Sequence, residues 1–267
     1  MKKIAVLAVA AVLAVGGSIG SATYALFTSE AQNTNNSFKS GTLSLSTHRN
    51  DVPVDGPMFY QNDSADGRMG TGYWAPKDSH TRAMFIKNTG SLDAKLTHIT
   101  AVPAGNETDA LKFGEQAMVT VASFKTSNNK ALDTTAAAKL NEEVDKEFKK
   151  LLNGNFWQKL QAVGLQAATA EVREELLDWT YRVNSNGESV TVGISDIFIG
   201  SLKDLYNGGS GQDTKVPNLI LPAGQTMQLS YTVTFLDDAG QSFKNNDIRG
   251  TTVDFGFVNK FEQVKNN

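Results

Sequence analysis

Strict two-residue alternation constrains this chain more than any other feature. Met227, Leu229, Tyr231, Val233 and Phe235 alternate with Gln228, Ser230, Thr232 and Thr234. A strand turns successive side chains to opposite faces, so the run makes one apolar and one polar face and does not suit a helix. Val253, Phe255 and Phe257 repeat it against Thr252, Asp254 and Gly256, as do Val190, Val192 and Ile194, and Leu43 and Leu45 after Gly41. Ala83 to Lys87, Lys95 to Ala101 and Met118 to Phe124 are shorter strand candidates. Turn signals separate them: Asn88-Thr89-Gly90-Ser91, Pro103-Ala104-Gly105-Asn106, Pro222-Ala223-Gly224 and Asp237-Asp238-Ala239-Gly240. Strands with one wet face, joined by loops, predict a mainly β fold: an antiparallel sandwich rather than a βαβ protein.

One block departs from that period. Leu140, Val144, Phe148 and Leu151 recur at helical spacing within Asp133 to Leu152, and Asn153-Gly154-Asn155 ends the stretch. Phe156 to Leu165 reads as a second helical piece and Glu171 to Tyr181, with Val172, Leu176 and Trp179, as a third. The spacing predicts a helical insertion at about 133–181, packed over one end or face of the sandwich. A separate domain built from three short helices would have a thin core. Two glycine-rich loops, Asp51 to Asp78 and Asn207 to Lys215, complete the layout. The first carries Met58, Phe59, Tyr60, Tyr73 and Trp74, which either pin the loop to its own domain or form a sugar- or partner-binding surface.

The N-terminus predicts export. Lys2 and Lys3 precede the apolar run Ile4 to Val15, then Gly16-Gly17-Ser18 breaks it and small residues lead to Thr23-Tyr24-Ala25. This is the order of a secretory leader, and its apolar run is shorter than the roughly 18 residues of a spanning helix. Cleavage is expected between Ala25 and Leu26, with Ala22 as the alternative, so residues 1–25 are a signal peptide that meets the membrane and signal peptidase only in passage. Loss of Lys2 and Lys3 takes the formal net charge from −3 to −5. That mild acidity argues against nucleic acid as a partner. The chain has no cysteine, which removes thiol catalysis and zinc–thiolate sites.

Residues 26–40 are expected to stand apart from the domain at 41–262. Leu26 and Phe27 are large and apolar, and the chain is then polar until Phe38. Such a terminus either stays a loose tail or adds as a strand to another subunit's sheet edge, where N–H and C=O groups need partners.

Four pieces of the sequence resemble the TasA/camelysin family in the same order. Asn35-Asn36-Ser37-Phe38-Lys39-Ser40-Gly41-Thr42-Leu43-Ser44-Leu45 is similar to the start of its mature proteins, and Lys87-Asn88-Thr89-Gly90-Ser91-Leu92 to its strand–turn. Val233-Thr234-Phe235-Leu236-Asp237-Asp238 is similar to its apolar strand ending in paired aspartates, and Gly250 to Phe257 to its last strand. The resemblance implies a jelly-roll-like sandwich, secretion, and polymerisation into extracellular biofilm matrix fibres at the cell surface. It also implies subunits linked by an N-terminal donor strand, with Leu26, Phe27 and Phe38 at the interface. The partners are then further copies of this chain, with other matrix proteins or polysaccharide around them. The long Asp51 to Asp78 loop departs from shorter family members.

The family also carries a metallopeptidase label, which sets an alternative function. A zinc hydrolase takes typically three side-chain ligands and a water. His48, His80 and His98 are the only histidines, and no His-Glu-x-x-His or helically spaced pair occurs. Asp78 near His80, and Glu107 or Asp109 near His98, are carboxylates that a fold could bring together with them. No Gly-x-Ser-x-Gly elbow is present; Gly208-Gly209-Ser210-Gly211 has no strand before it. The paired carboxylates Asp237-Asp238 and Glu142-Glu143 are sequence neighbours, an arrangement that in a strand sends them to opposite faces. Asp63-Ser64-Ala65-Asp66-Gly67 spaces oxygen ligands without completing an EF-hand loop. No catalytic or metal-binding residue and no cofactor is therefore assigned.

Overall fold

The computed structural model describes residues 30–33, 36–39, 43–49, 58–59, 71–206, 215–236 and 250–264. Ala25, Leu26 and Phe27 lie outside them. The first described element is an isolated ribbon: β1 (Glu30–Asn33) pairs antiparallel with β2 (Asn36–Lys39), Glu30 opposite Lys39 and Asn33 opposite Asn36. Neither strand is hydrogen-bonded into another sheet.

Everything else is built on two antiparallel sheets. The larger has β3 (Leu45–Arg49), β4 (Ser79–Asn88), β6 (Ala117–Thr126), β7 (Thr180–Ser185), β8 (Glu188–Ser201) and β10 (Thr226–Phe235), in the order β3-β4-β10-β6-β8-β7. The smaller has β5 (Ala94–Ala104), β9 (Lys215–Leu221) and β11 (Asp254–Gln263), with β5 central. The chain passes from one sheet to the other at β4–β5–β6 and again at β8–β9–β10–β11, in jelly-roll fashion. Between the sheets lies the main core. Met84, Ile86, Val119, Val121, Leu229, Tyr231 and Val233 of the large sheet meet Leu96, Ile99, Ala101 and Leu221 of the small one. The alternation in β10 and β11 produces this face, since every second residue points inward.

Helices cover the other face of the large sheet. α1 (Glu107–Gln116) follows β5, its N-terminus capped by the Asn106 side chain, which accepts from the Thr108 and Asp109 N–H groups. α2 (Thr134–Leu151) is capped by Asp133, whose carboxylate accepts from Ala136 N–H at 2.8 Å. A five-residue π-type turn, 152–156, kinks at Gly154 and leads into α3 (Trp157–Val163). Gly164 at φ +80 then turns the chain into α4 (Leu165–Asp178), a conformation that costs glycine nothing. Phe148, Leu152, Phe156, Leu160, Val172 and Leu176 pack on Met118, Ala122, Ile194 and Ile197. α5 (Leu202–Leu205) closes one end beside α1 with a capping box, in which Ser201 and Asp204 cap each other's backbone. The insertion thus lies over a face of the sandwich and builds further cores there, apart from the one between the sheets.

Four expectations are corrected. The polar face of β10 is not wet: Ser230, Thr232 and Thr234 are buried between the sheet and α2. Thr232 pairs with Thr81 at 2.9 Å, Thr234 with Ser79 at 3.0 Å, and Ser230 donates to Asn141 of α2. The third helix ends at Asp178 rather than Tyr181; Trp179 and Tyr181 leave it, and their rings stack 6.0 Å apart. Pro103 and Ala104 belong to β5, and a helix follows Asn106. Lys215 opens β9 rather than closing a loop.

Candidate functional site

The three histidines occupy separate places. His48 on β3 stands in register with Phe85, five residues along β4 from His80. At about 3.4 Å per residue that separates them by about 17 Å. His98 is on β5 in the other sheet, opposite Lys260 on one side and Lys215 on the other. Among the described residues no group of three or more His, Asp or Glu side chains is placed to hold a metal. Asp78 is occupied near its own turn, accepting from Ala75 N–H at 2.6 Å. Asp109 accepts from the Asn106 side chain at the helix start. Glu143 pairs with Lys146 on the exposed side of α2. Asp237-Asp238, Asp63 to Gly67 and Gly208 to Gly211 lie outside the described residues.

His80 is the one histidine with a distinctive environment. Its ring lies 4.6 Å from that of Trp74, and its Nε2 is buried without a hydrogen-bond partner. Burial disfavours the imidazolium, and the nearby Arg82 and Lys149 charges add to this, so its pKa falls below the ordinary 6.5. Among the described residues no nucleophile or carboxylate is hydrogen-bonded to that nitrogen.

The aromatics of the long loop are largely pinned. Phe59 packs on Trp74, Phe255 and Phe257 at 6.1–6.4 Å, and Trp74 reaches Phe113 at 5.9 Å. Trp74 Nε1 donates to Thr71 Oγ1. Phe113 continues the cluster to Phe235 and Phe255. Tyr73 is the exception at 90% exposed, and Tyr60 lies outside the described residues. Of the two roles open to the loop aromatics, Phe59 and Trp74 therefore take the pinning one. Phe113 was hidden from sequence reasoning because its helix was; the signal was Asn106, a helix-capping residue behind a glycine.

The N-terminal segment and the sheet edges make up the remaining candidate. Phe38 is on β2, within the ribbon, and Leu26 and Phe27 precede the described residues. The ribbon's ladder joins no other strand, so the two sheets are complete without it. β3 and β7 are the edges of the large sheet, and β11 and β9 those of the small one. Asn259 of β11 accepts from Tyr231 Oη at 2.6 Å and lies 3.3 Å from Met84 Sδ, which fixes β11 above β4 and β10. Burial raises the Tyr231 pKa strongly, so this hydroxyl stays protonated as the donor. Among the described residues no helix is long and apolar enough to cross a membrane.

No protein-family model and no curated protein matches the sequence. Among solved structures the chain is similar to AvmM, titled as catalysing macrocyclization in alchivemycin A biosynthesis, at 8% identity and a TM-score of 0.21 over 90% of this chain and 97% of that one. A likeness that slight carries no argument about fold or function.

Proposed function

We propose that this chain is a secreted structural subunit that polymerises into extracellular matrix fibres by donating its N-terminal segment as a strand to the next copy. The observation that carries the reading is the segregation of residues 30–33 and 36–39, which pair with each other and, among the described residues, with neither sheet. The leader-like N-terminus and the four ordered motifs shared with the TasA/camelysin family support it. A donated strand gains main-chain hydrogen bonds along its length and about 1.5–3 kcal/mol for each apolar side chain buried, with Leu26 and Phe27 foremost. Ordering it costs roughly 1–2 kcal/mol per residue, so the ladder and the side chains must act together.

The test is electron microscopy of secreted protein whose intact mass places the N-terminus at Leu26. Fibres are expected, and deletion of Leu26 to Asn33 should give a soluble monomer with an unchanged melting temperature. Phe27→Asp should likewise block assembly without unfolding the sandwich. Fibres of the same morphology from the truncated protein would overturn strand donation. Chelator-sensitive proteolysis that disappears in a folded His48→Ala, His80→Ala, His98→Ala triple variant would favour the metallopeptidase alternative instead.

A further inference from the structure

The two sheets are unequal, and among the described residues no strand pairs with the outer edge of β11, which leaves a place at one corner. The three-stranded sheet is anchored over β4 and β10 by Asn259, and Phe257 lies 4.7 Å from Tyr231 of β10. β9, at its far side, lies against β8. The edge strand β3 of the large sheet is therefore left beyond β11. Leu43 and Leu45, at the start of β3, are only half-buried against the core, as is Phe261 on β11. These groups share one end of the sandwich. Leu45 is in register with Asn88, whose amide donates to Leu221 O, and Leu221 and Gln263 both pair with Ala94. At the other end of β11 the place is closed, because Phe59 packs on Phe255 and Phe257.

We infer that the β11 edge from Val258 to Gln263, over the half-buried Phe261, Leu43 and Leu45, is the acceptor for the N-terminal strand of a second copy. This rests on the fibre reading above. The four edges are not equivalent. β3 and β7 have five and six residues, and β9 carries Pro217, which has no N–H to donate. β11 has ten residues and no proline. The irregularity in its ladder belongs to β5: Lys260 pairs with His98 and Phe261 with Leu96, so Thr97 is the extra residue and β11 runs on unbroken. Its charges, Asp254, Lys260 and Glu262, stand on the exposed face, perpendicular to the sheet plane. They leave the edge N–H and C=O groups accessible, whereas inward-pointing charges would guard them. The inward positions are Phe255, Phe257, Asn259 and Phe261, a mostly apolar row that an incoming strand can extend. The occupant is argued from the chain itself: residues 26–38 carry apolar residues near both ends, and their described part, the β1–β2 ribbon, joins neither sheet of its own molecule and leaves the outer edge of β2, with Ser37 and Phe38, free of any described strand.

The absence of cysteine allows single thiols to report the contact. A donor copy carrying Ser37→Cys is mixed with an acceptor copy carrying Lys260→Cys on β11, Ser46→Cys on β3, Asn184→Cys on β7 or Ile220→Cys on β9, assembled with wild-type protein, and treated with a short bifunctional maleimide. Cross-linked dimer is expected with Lys260→Cys at a yield on the order of tenfold or more above the other three, because only there does strand pairing raise the local thiol concentration. Fibres that cross-link instead through β3, β7 or β9 would overturn the β11 assignment and leave the fibre reading standing. Protein that forms neither fibres nor cross-links at any edge would overturn both.

Discussion

The buried hydroxyls beneath α2 make a sharp energetic test of the layer order. Thr81 and Thr232 are 3% and 2% exposed, and their hydroxyls are bonded to one another at 2.9 Å. Thr232 also faces Thr120 across the β10–β6 ladder, and the Thr120 hydroxyl is buried with no partner. The two single replacements by valine should therefore differ. Thr232→Val strands the Thr81 hydroxyl, since among the described residues β3 pairs only with the 84–88 end of β4; the cost is about 1–3 kcal/mol, that of a desolvated unpaired group. Thr81→Val lets the Thr232 hydroxyl turn to Thr120, so its cost is within about 1 kcal/mol. The double Thr81→Val, Thr232→Val variant removes both groups at nearly constant volume and returns close to wild type, so its cost is smaller than the sum of the two single costs. Thr120→Val removes an orphan hydroxyl and stabilises the protein; in that background Thr81→Val should rise to the cost of its partner. Denaturant unfolding of all variants at constant m-value gives the numbers. If every variant lies within about 0.5 kcal/mol of wild type, as replacements on a solvated face do, the hydroxyl face is wet and the helical layer does not sit where it is described.

Two further outcomes follow from single residues. His80 has a lowered pKa in the fold, so below its ordinary 6.5 the unfolded chain binds a proton that the folded chain resists, and stability is lost as the pH falls from 6.5 towards the folded value. The melting temperature of wild type should drop more steeply between neutral and mildly acidic pH than that of His80→Leu; parallel curves would remove the histidine from the account. Gly114→Ala should destabilise by about 1–3 kcal/mol by thermal or denaturant unfolding, although alanine favours helix by about 1 kcal/mol, because a Cβ there meets the ring of Tyr206, the residue that ends α5; a stabilised variant would show that α1 and the end of α5 are not packed this closely.

The strands were legible where their period was self-sufficient. β10 and β11 alternate cleanly because each faces a packed sheet on one side, and that period belongs to the backbone. What covers the second face does not. The polar residues of β10 look solvated in sequence, and only the fall of α2 across them, about 90 residues away in the chain, turns them inward. β7 was lost because Val172, Leu176 and Trp179 keep helical spacing up to the strand's first residue. β9 was lost to its proline, and α1 to having few apolar residues on a single narrow stripe. The candidate site divides in the same way. The leader-like order of residues 1–25 and the apolar Leu26 and Phe27 are local features of the sequence, so an expectation can be formed from them directly. Edge status is not, because it depends on which strands become neighbours; β11 is the last strand in sequence yet borders β5, whose partners lie far apart in the chain.

The outer face of the small sheet bears on how copies of the chain would meet. Of the large apolar side chains exposed among the described residues, Val102, Ile220 and Val258 lie on this face. They do not form a continuous apolar patch. Val258 shares β11 with Asp254, Lys260 and Glu262, which alternate outward along the same strand, and Ile220 is in register with Lys95. Val102 faces Gly256, which adds no side chain. Apolar groups spaced singly among charges are normal for a solvated face, and burying this one against another copy would desolvate Lys95, Lys260 and Glu262 together. An incoming strand at the edge of β11 leaves those charges in water, because they project from the pleat and not along the ladder. Extension through the edge is therefore less costly in charge desolvation than stacking through the face, and a fibre built from this chain should lengthen along the ladder direction. Lys260→Val, which makes that face more apolar without touching the edge, should promote side-by-side bundling under the electron microscope while leaving the subunit repeat along each fibre unchanged; a changed repeat would place Lys260 in the axial contact and refute the separation of edge from face.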